Sequence, residues 1–369
     1  MSLILSLYLP EKSPGSSRDP YPIVKGFDGK FVSTKDVFSY LLDAVLLGVD
    51  GDFMSSRKPW DIVVIGGANM DYIVRGKKLP KPGETVMGDL FLEAPGGKGA
   101  NQAVAAIRLG ARVGLVSRVG VDRRGREILK RLKEEGVDTN LIVRDQEATT
   151  GVALVMVGKG GEKKILTAPG AKREISVDQI HRAATAIRSA QVLLTQLGAP
   201  LEAVQLAIEL AHKAETKVIL DPSPPISLSE ELMHMVGLIK PNAREAEALT
   251  GVRSRDRNSA REAAKRLLAR GVGAVAVQAG NEGNLIVTSD GEYWFPEIPV
   301  QSIDATGAGD AFAAALAVGL LEERPWSEVG AWASASAALK TTRFGAQAGL
   351  PTRDEVLALL AKEGNKASE

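Results

Sequence analysis

The stretch Asp304-Ala305-Thr306-Gly307-Ala308-Gly309-Asp310, followed by Ala311-Phe312-Ala313-Ala314-Ala315-Leu316, sets an anion site beside a base. Small residues let a ligand approach the backbone, and the Ala-rich run reads as a buried helix. Amides at such a helix start converge with the positive end of its dipole, so a phosphate is the natural guest. Asp310 falls in the first turn, where a carboxylate within reach of a hydroxyl can take its proton during phosphoryl transfer. The same residues also suit an N-capped helix after a tight turn, and this segment alone leaves both readings open.

Two further clusters carry chemistry. In Gly96-Gly97-Lys98-Gly99-Ala100-Asn101-Gln102-Ala103 the glycines permit close approach, and Lys98 and Asn101 offer donors to hydroxyls or an anion. The G-x-x-x-x-G-K-[ST] spacing of a Walker A loop is absent, and no G-x-G-x-x-G follows the first strand, which argues against a P-loop NTPase and a dinucleotide-binding dehydrogenase. In Gly66-Gly67-Ala68-Asn69-Met70-Asp71 strand alternation aims Asn69 and Asp71 the same way, a donor and acceptor pair suited to a polyol. A turn-forming Asx pair is the alternative there, as a Gly-rich turn with a solvated lysine is for the Lys98 segment.

The elements that would position these clusters follow from the apolar pattern. Ile62–Ile65, Val113–Val116, Val192–Leu194, Val218–Leu220, Gly237–Ile239 and Val275–Val277 read as buried strands, most preceded by amphipathic stretches such as Leu201 to Ala211 and Ala260 to Ala269. Continuous apolar strands alternating with helices imply an α/β fold with a mostly parallel central sheet covered by helices on both faces, and strand carboxyl ends are where such sheets bind ligands. Thr85 to Ala94 and Val152 to Thr167 break the pattern and read as antiparallel ribbon, placed to serve as a small β lid.

Composition narrows the partners. With 46 basic and 45 acidic residues in 369, the formal net charge of +1 creates no field that would recruit nucleic acid or an anionic membrane. The absence of Cys rules out disulfides and a cysteine nucleophile and accords with a reducing cytoplasm. His181, His212 and His234 lack metal-ligand spacing, so no structural zinc is expected. The apolar run Leu3 to Leu9 is too short to span a membrane and lacks the basic flank of a secretory signal. Residues 13–19 read as a linker, and Ser33 to Asp36 precede a capped helix over Val37 to Gly48. Residues 1–58 are expected to form an extension, partly helical or disordered or an artefact of a start at Met54, and residues 59–369 one domain.

Taken together, Asn69-x-Asp71, the Gly-Gly-Lys-Gly-Ala-Asn run, Lys240-Pro241-Asn242-Ala243-Arg244-Glu245, Asp304 to Asp310 and Arg343-Phe344-Gly345-Ala346-Gln347 resemble, in order and spacing, the ribokinase-like, PfkB-type carbohydrate kinases. The resemblance covers about residues 61–360 and is strongest to the ribokinase branch. It implies a three-layer α/β/α fold, lid segments at about 71–96 and 150–168, and transfer of phosphate from ATP to the primary hydroxyl of a pentose, D-ribose foremost. Asp310 would be the base and Gly307, Ala308 and Gly309 the anion hole. Asn69, Asp71, Gly97, Lys98 and Asn101 would hold the sugar, and Asn242, Gln278, Gly280, Gly283, Gly309 and Ser334 the nucleotide. Glu245 would organise Mg2+ through water. A potassium ion would use Asp304 and Thr306 with carbonyls at Lys340, Arg343 and Gly345. Such kinases pair through their lids, and alternating apolar residues that a small ribbon cannot bury also point to a homodimer.

The chain departs from the pattern at three places. Gly198 stands where ribokinases carry a Glu in the sugar site, Gly349 where they often have Ser near the cation, and Gln278-Ala279 where Thr-Leu is usual. An opened sugar site could admit a nucleoside or a ketose such as fructose or tagatose. A catalytically silent sugar-binding relative is the reading from another class, although Asp310, Glu245 and Gly307 to Gly309 are all retained.

Overall fold

The computed structural model describes residues 23–25, 31–33, 60–160 and 162–366, and the chain divides into two units, Met1–Arg57 and Lys58–Glu369. In the first unit β1 (Ile23–Lys25) pairs antiparallel with β2 (Phe31–Ser33). Ser33 thus closes a strand, while the helix expected over 37–48 lies outside the described residues.

The described residues of the second unit form thirteen strands: β3 (Ile62–Ile65), β4 (Asn69–Gly76), β5 (Gly88–Gly96), β6 (Val113–Gly120), β7 (Ile142–Asp145), β8 (Val152–Val157), β9 (Lys163–Ala168), β10 (Val192–Gln196), β11 (Lys217–Asp221), β12 (Leu238–Ile239), β13 (Ala274–Gln278), β14 (Gly283–Thr288) and β15 (Glu292–Pro296). Nine form one sheet in the order β15-β14-β13-β12-β11-β10-β3-β6-β7, parallel except at β14 and β15. The helices are α1 (Lys98–Arg108), α2 (Arg123–Glu134), α3 (Val177–Arg182), α4 (Ala184–Ser189), α5 (Leu201–Lys213), α6 (Glu230–His234), α7 (Ala243–Thr250), α8 (Arg257–Leu268), α9 (Ala308–Leu321), α10 (Trp326–Thr341) and α11 (Arg353–Lys366).

Why β3 is apolar at every position is visible in its neighbours. Ile62 and Val64 face a core shared with α1, α9 and α10, whereas Val63 and Ile65 face the core beneath α5 and α8. Both faces are covered, so each side chain removes its surface from water, worth about 1.5–3 kcal/mol for a fully buried aliphatic group. Helix α9 is buried continuously from Asp310 to Gly319, which explains its apolar composition all round.

The four remaining strands form a separate sheet in the order β5-β4-β8-β9. The ribbon expected around residues 85–94 finds its antiparallel partner in β4, which begins at Asn69 itself, and β8 pairs antiparallel with β9. The two hairpins join through a parallel pair, β4 with β8, rather than as one antiparallel ribbon. The chain runs through α1, β6, α2 and β7 between them, so both hairpins leave the large sheet in the same direction.

Strand β3 neighbours β6, which follows it through α1, and β10, which the chain reaches only after the lid. The order reverses there, and the crevice beyond the carboxyl ends is where a ligand would enter. Close backbone approach shapes it. A Cβ on Gly99 would lie 2.5 Å from the carbonyl carbon of Gly66 and 2.8 Å from its Cα, so the start of α1 rests directly on the turn after β3. Gly99→Ala must push these two backbones apart, and a loss of about 2 kcal/mol or more is expected in denaturant unfolding. A loss below about 0.5 kcal/mol would show that the approach is not needed.

Candidate active site

Two helix starts meet at the crevice. Helix α1 follows Gly97, whose φ of 94° and would-be Cβ, 2.6 Å from the Gly67 carbonyl oxygen, exclude any side chain. Lys98, Asn101 and Gln102 then fall at i, i+3 and i+4, one face of the first turn. Across from them α9 follows Gly307, in the left-handed region at φ 87°, and presents Asp310 in its first turn. Asp310 accepts from Asn101 Nδ2 (2.9 Å) and Gln102 Nε2 (3.2 Å), and Lys98 Nζ stands 3.8 Å from its Oδ1. Of the loop amides, Ala308 N reaches Ala305 O at 3.3 Å, a long turn bond, while Asp310 N bonds Gly307 O at 3.1 Å.

A second carboxylate, Asp221, closes the cluster from the end of β11. It is fully buried, accepts from Lys98 Nζ (3.0 Å) and Gln102 Nε2 (3.1 Å), and lies 3.6 Å from Lys240 Nζ. Lys240 also donates to Gly309 O at 3.3 Å, and Gln102 accepts from Gln196 Nε2 at 2.6 Å. Burial pushes the Asp310 carboxyl up; Lys98 offsets part of this and the charge of Asp221 adds to it. Burial also works against ionised Asp221, but Lys240 and Lys98 outweigh it and hold that carboxyl below its ordinary range. For Lys98 the loss of water is overcome by Asp221, Asp310 and Glu245, which raise its pKa.

The inner face of the lid supplies Asn69 and Asp71, both buried, with Asn69 Nδ2 donating to Asp71 Oδ1. Burial raises the Asp71 carboxyl to about 6 against the pull of Asn69 and of Lys172. Lys172 comes from the short 3-10 turn Gly170–Glu174, and its Cδ would stand 2.7 Å from a Cβ on Gly67. A Cβ on Gly198 would meet nothing within 4 Å.

Beyond Asp310 lies a cavity of about 380 Å3 between β13, β14, α9 and α10. Asn242, Gln278, Gly280, Gly283, Gly309 and Ser334, the six residues singled out for a nucleotide, all line it. Its size is that of a small-molecule pocket. Asn242 and Glu245 form a capping box at α7: Asn242 Oδ1 accepts from Glu245 N (2.9 Å) and Glu245 Oε2 from Asn242 N (2.8 Å). Glu245 is buried, and its carboxyl is raised first by that burial and then by the charge of Asp221. Two hard oxygen donors that repel one another suit a magnesium ion, which takes one or two carboxylates together with phosphates and water. Among the described residues no group of three or more His, Cys, Asp or Glu is placed to hold a metal alone.

The loop assigned to potassium is built differently. Asp304 Oδ1 accepts from Thr306 N (2.9 Å) and from Lys163 Nζ of β9 (2.7 Å), and Thr306 Oγ1 also faces Lys163. Burial would raise Asp304, yet these donors bring its carboxyl down to about 2. Lys340 turns its own ammonium onto the Asp304 and Arg343 carbonyls, at 2.8 and 3.0 Å. Burial draws Lys340 down to about 8, which leaves it mainly protonated at neutral pH. Asp304, Thr306 and Arg343 do converge, but on lysines, while Gly345 N donates to Asp304 Oδ2 at 3.0 Å and its carbonyl accepts from Gly349 N at 3.1 Å. A free monovalent cation does not fit among these residues as they stand.

Residues 60–353 match the family model described as pfkB family carbohydrate kinase. The chain belongs to that family. It is 38% identical over 299 residues to the ribokinase of Haemophilus influenzae, covering 81% of this chain and 98% of that protein. Identity to the ribokinase of Bacillus subtilis is 37% over 301 residues, 82% and 99% of the two chains. The structure of Arabidopsis thaliana ribokinase complexed with ribose and ATP superposes with a TM-score of 0.73 at 31% identity, covering 82% of this chain and 98% of that one.

As a carbohydrate kinase of this family, the chain carries site residues that sequence reasoning passed over: Asp221, Gln102, Gln196, Lys172 and Lys163. Asp221 had a signal, since it directly follows the apolar run Val218–Leu220 at a strand's carboxyl end. Lys163 had none, because only the folded lid brings it to Asp304. Asp71 yields a test. A carboxyl raised from about 4 to about 6 costs no stability below pH 4 and up to about 3 kcal/mol above pH 6, where the buried group must ionise. Asp71→Asn should therefore stabilise the protein in denaturant unfolding at pH 8, with the gain gone near pH 4. A loss at pH 8, or an equal gain at both, would contradict the burial argument.

Proposed function

We propose that this chain is an ATP-dependent kinase acting on the primary hydroxyl of a pentose, D-ribose at O5 being the acceptor and D-ribose 5-phosphate the product. The observation that carries the reading is the pairing of Asn101 with Asp310, whose chain neighbour Gly309 lines the cavity. Asp310 is a buried carboxylate poised above the usual range, and Asn101 Oδ1 is buried with no hydrogen-bond partner. A substrate hydroxyl would satisfy that acceptor. Asn69 and Asp71 add donors and acceptors from the lid, and the Lys98 ammonium lies between Asp221 and Asp310.

In the reaction the Asp310 carboxylate takes the proton of O5 as the O5–P bond forms and the bond between the γ-phosphorus and ADP breaks. The amides of Gly307, Ala308 and Gly309, with the dipole of α9, would meet the charge on the phosphoryl oxygens. Magnesium, when bound, neutralises phosphate charge; Glu245, with Asp221 behind it, is the acidic face that would hold it through water. Closing the lid over the acceptor keeps water from competing for the phosphoryl group.

The open space at Gly198 favours a second acceptor class, a nucleoside or ketose, since no side chain there limits the acceptor's size. An ADP-release assay across ribose, 2-deoxyribose, fructose, tagatose, adenosine, inosine and cytidine decides between them, and no turnover of any pentose would overturn the first reading. Asp310→Asn should lower kcat by about 10²-fold or more while ATP binding is nearly unchanged, and retained activity would remove Asp310 from the mechanism.

The outer face of the lid supports a homodimer. Val74 is paired with Phe91 and Leu154 with Leu166, and these side chains are 43%, 61%, 48% and 67% exposed. Two copies meeting there would cover both faces. Light scattering should report a dimer at micromolar concentration and a monomer for Phe91→Lys, whereas a monomeric native chain would contradict this assembly.

A further inference from the structure

Lys340 lies near the end of α10, and its side chain is fully buried, 0% exposed. A lysine almost never disappears from solvent without a defined set of acceptors. Here the acceptors are two main-chain carbonyls on separate segments, Asp304 O at 2.8 Å and Arg343 O at 3.0 Å, with Asp304 Oδ2 3.9 Å from the same Nζ. Arg343 O is among the oxygens that the resemblance gives to potassium. The side-chain oxygens of that set, Asp304 Oδ1 and Thr306 Oγ1, face Lys163 from the lid instead.

Position 349 explains how the lysine fits. A Cβ on Gly349 would stand 3.0 Å from Lys340 Cε, 3.0 Å from Gly345 O and 3.1 Å from Arg343 O. A serine there, which would complete a cation's ligands, would crowd the Lys340 stem. The bare glycine at 349 is what leaves room for the buried Lys340 stem. An alkylammonium carries the same single charge as potassium and donates to the same carbonyl oxygens.

We propose that the Lys340 ammonium is a covalently tethered replacement for the monovalent cation, so that the enzyme works without potassium. It joins the segment 343–346 to Asp304, and Gly345 N donating to Asp304 Oδ2 closes the link. Ala346 in turn abuts the loop, since a Cβ on Gly307 would lie 3.3 Å from Ala346 Cα. Lys340 thereby positions Gly307 to Gly309 without touching the substrate. A tethered cation is always at hand, with no association step and no dependence on the ionic composition of the medium.

The activity arm rests on the kinase reading; a thermal arm does not. Turnover of the best acceptor and thermal unfolding are measured in potassium chloride and in choline chloride at equal ionic strength. The native chain should show kcat/KM within about twofold and the same unfolding midpoint in both salts. Lys340→Met keeps the stem but removes the charge, and should lose about tenfold or more in kcat/KM in choline. Lys340→Ala combined with Gly349→Ser should regain activity in potassium and show a midpoint raised by potassium alone. A native chain activated more than about fivefold by potassium, or a Lys340→Met variant as active in choline as the native chain, would overturn the proposal. If no acceptor is turned over in either salt, the kinase reading fails, and the native midpoint still decides: a rise with potassium overturns the tethered cation, and its absence supports it.

Discussion

The structure depends on holding like charges together out of water. Asp221 and Asp310 are both buried, and Glu245 feels the charge of Asp221, so three carboxylates are opposed by Lys98 and Lys240. Isolated, any of these groups would neutralise rather than stay charged in such a place. Their spacing answers each one: Lys98 joins Asp221 to Asp310, and Gln102 donates to both. Three carboxylates set against two lysines make an acidic cluster, suited to a divalent cation arriving with a polyphosphate. The same opposition holds Asp221 ionised while leaving Asp310 raised, which separates a structural acid from a proton acceptor.

Everything nearby serves to bring those groups within reach. Helix α1 must start against the backbone after β3, which only Gly97 and Gly99 permit, and α9 must start from a left-handed residue at Gly307. The lid is part of this arrangement. It carries Asp71 on β4 and Lys163 on β9, and Lys163 reaches Asp304 in the loop before α9.

Much of the architecture was legible in the chain because apolar periodicity follows from burial. The runs at 62–65, 192–194 and 275–277 became strands of the parallel sheet, and the amphipathic stretches at 201–211 and 260–269 became helices covering it. The lid's central parallel pairing was not legible, since period-two alternation says which face a residue takes but not which strand lies beside it. Among site residues, Lys98, Asn101 and Asp310 could be read because their flanking glycines announce close approach. Asp221 has no flanking glycine and was marked only by its place at the end of an apolar strand run.

The sequence by itself determined the family and the α/β layering, because these are written in local runs of residues whose chemistry survives out of context. Only the tertiary structure decided which charges share a solvent-free space. The resemblance named Lys340 only for its main-chain carbonyl, and Gly349 as a missing ligand. That the Lys340 ammonium reaches the carbonyl of Asp304, 36 residues earlier in the chain, is decided only when folding packs α10 against that loop. Sequence spacing does not encode such a distance, and the energetics of a buried charge depend on nothing else so strongly.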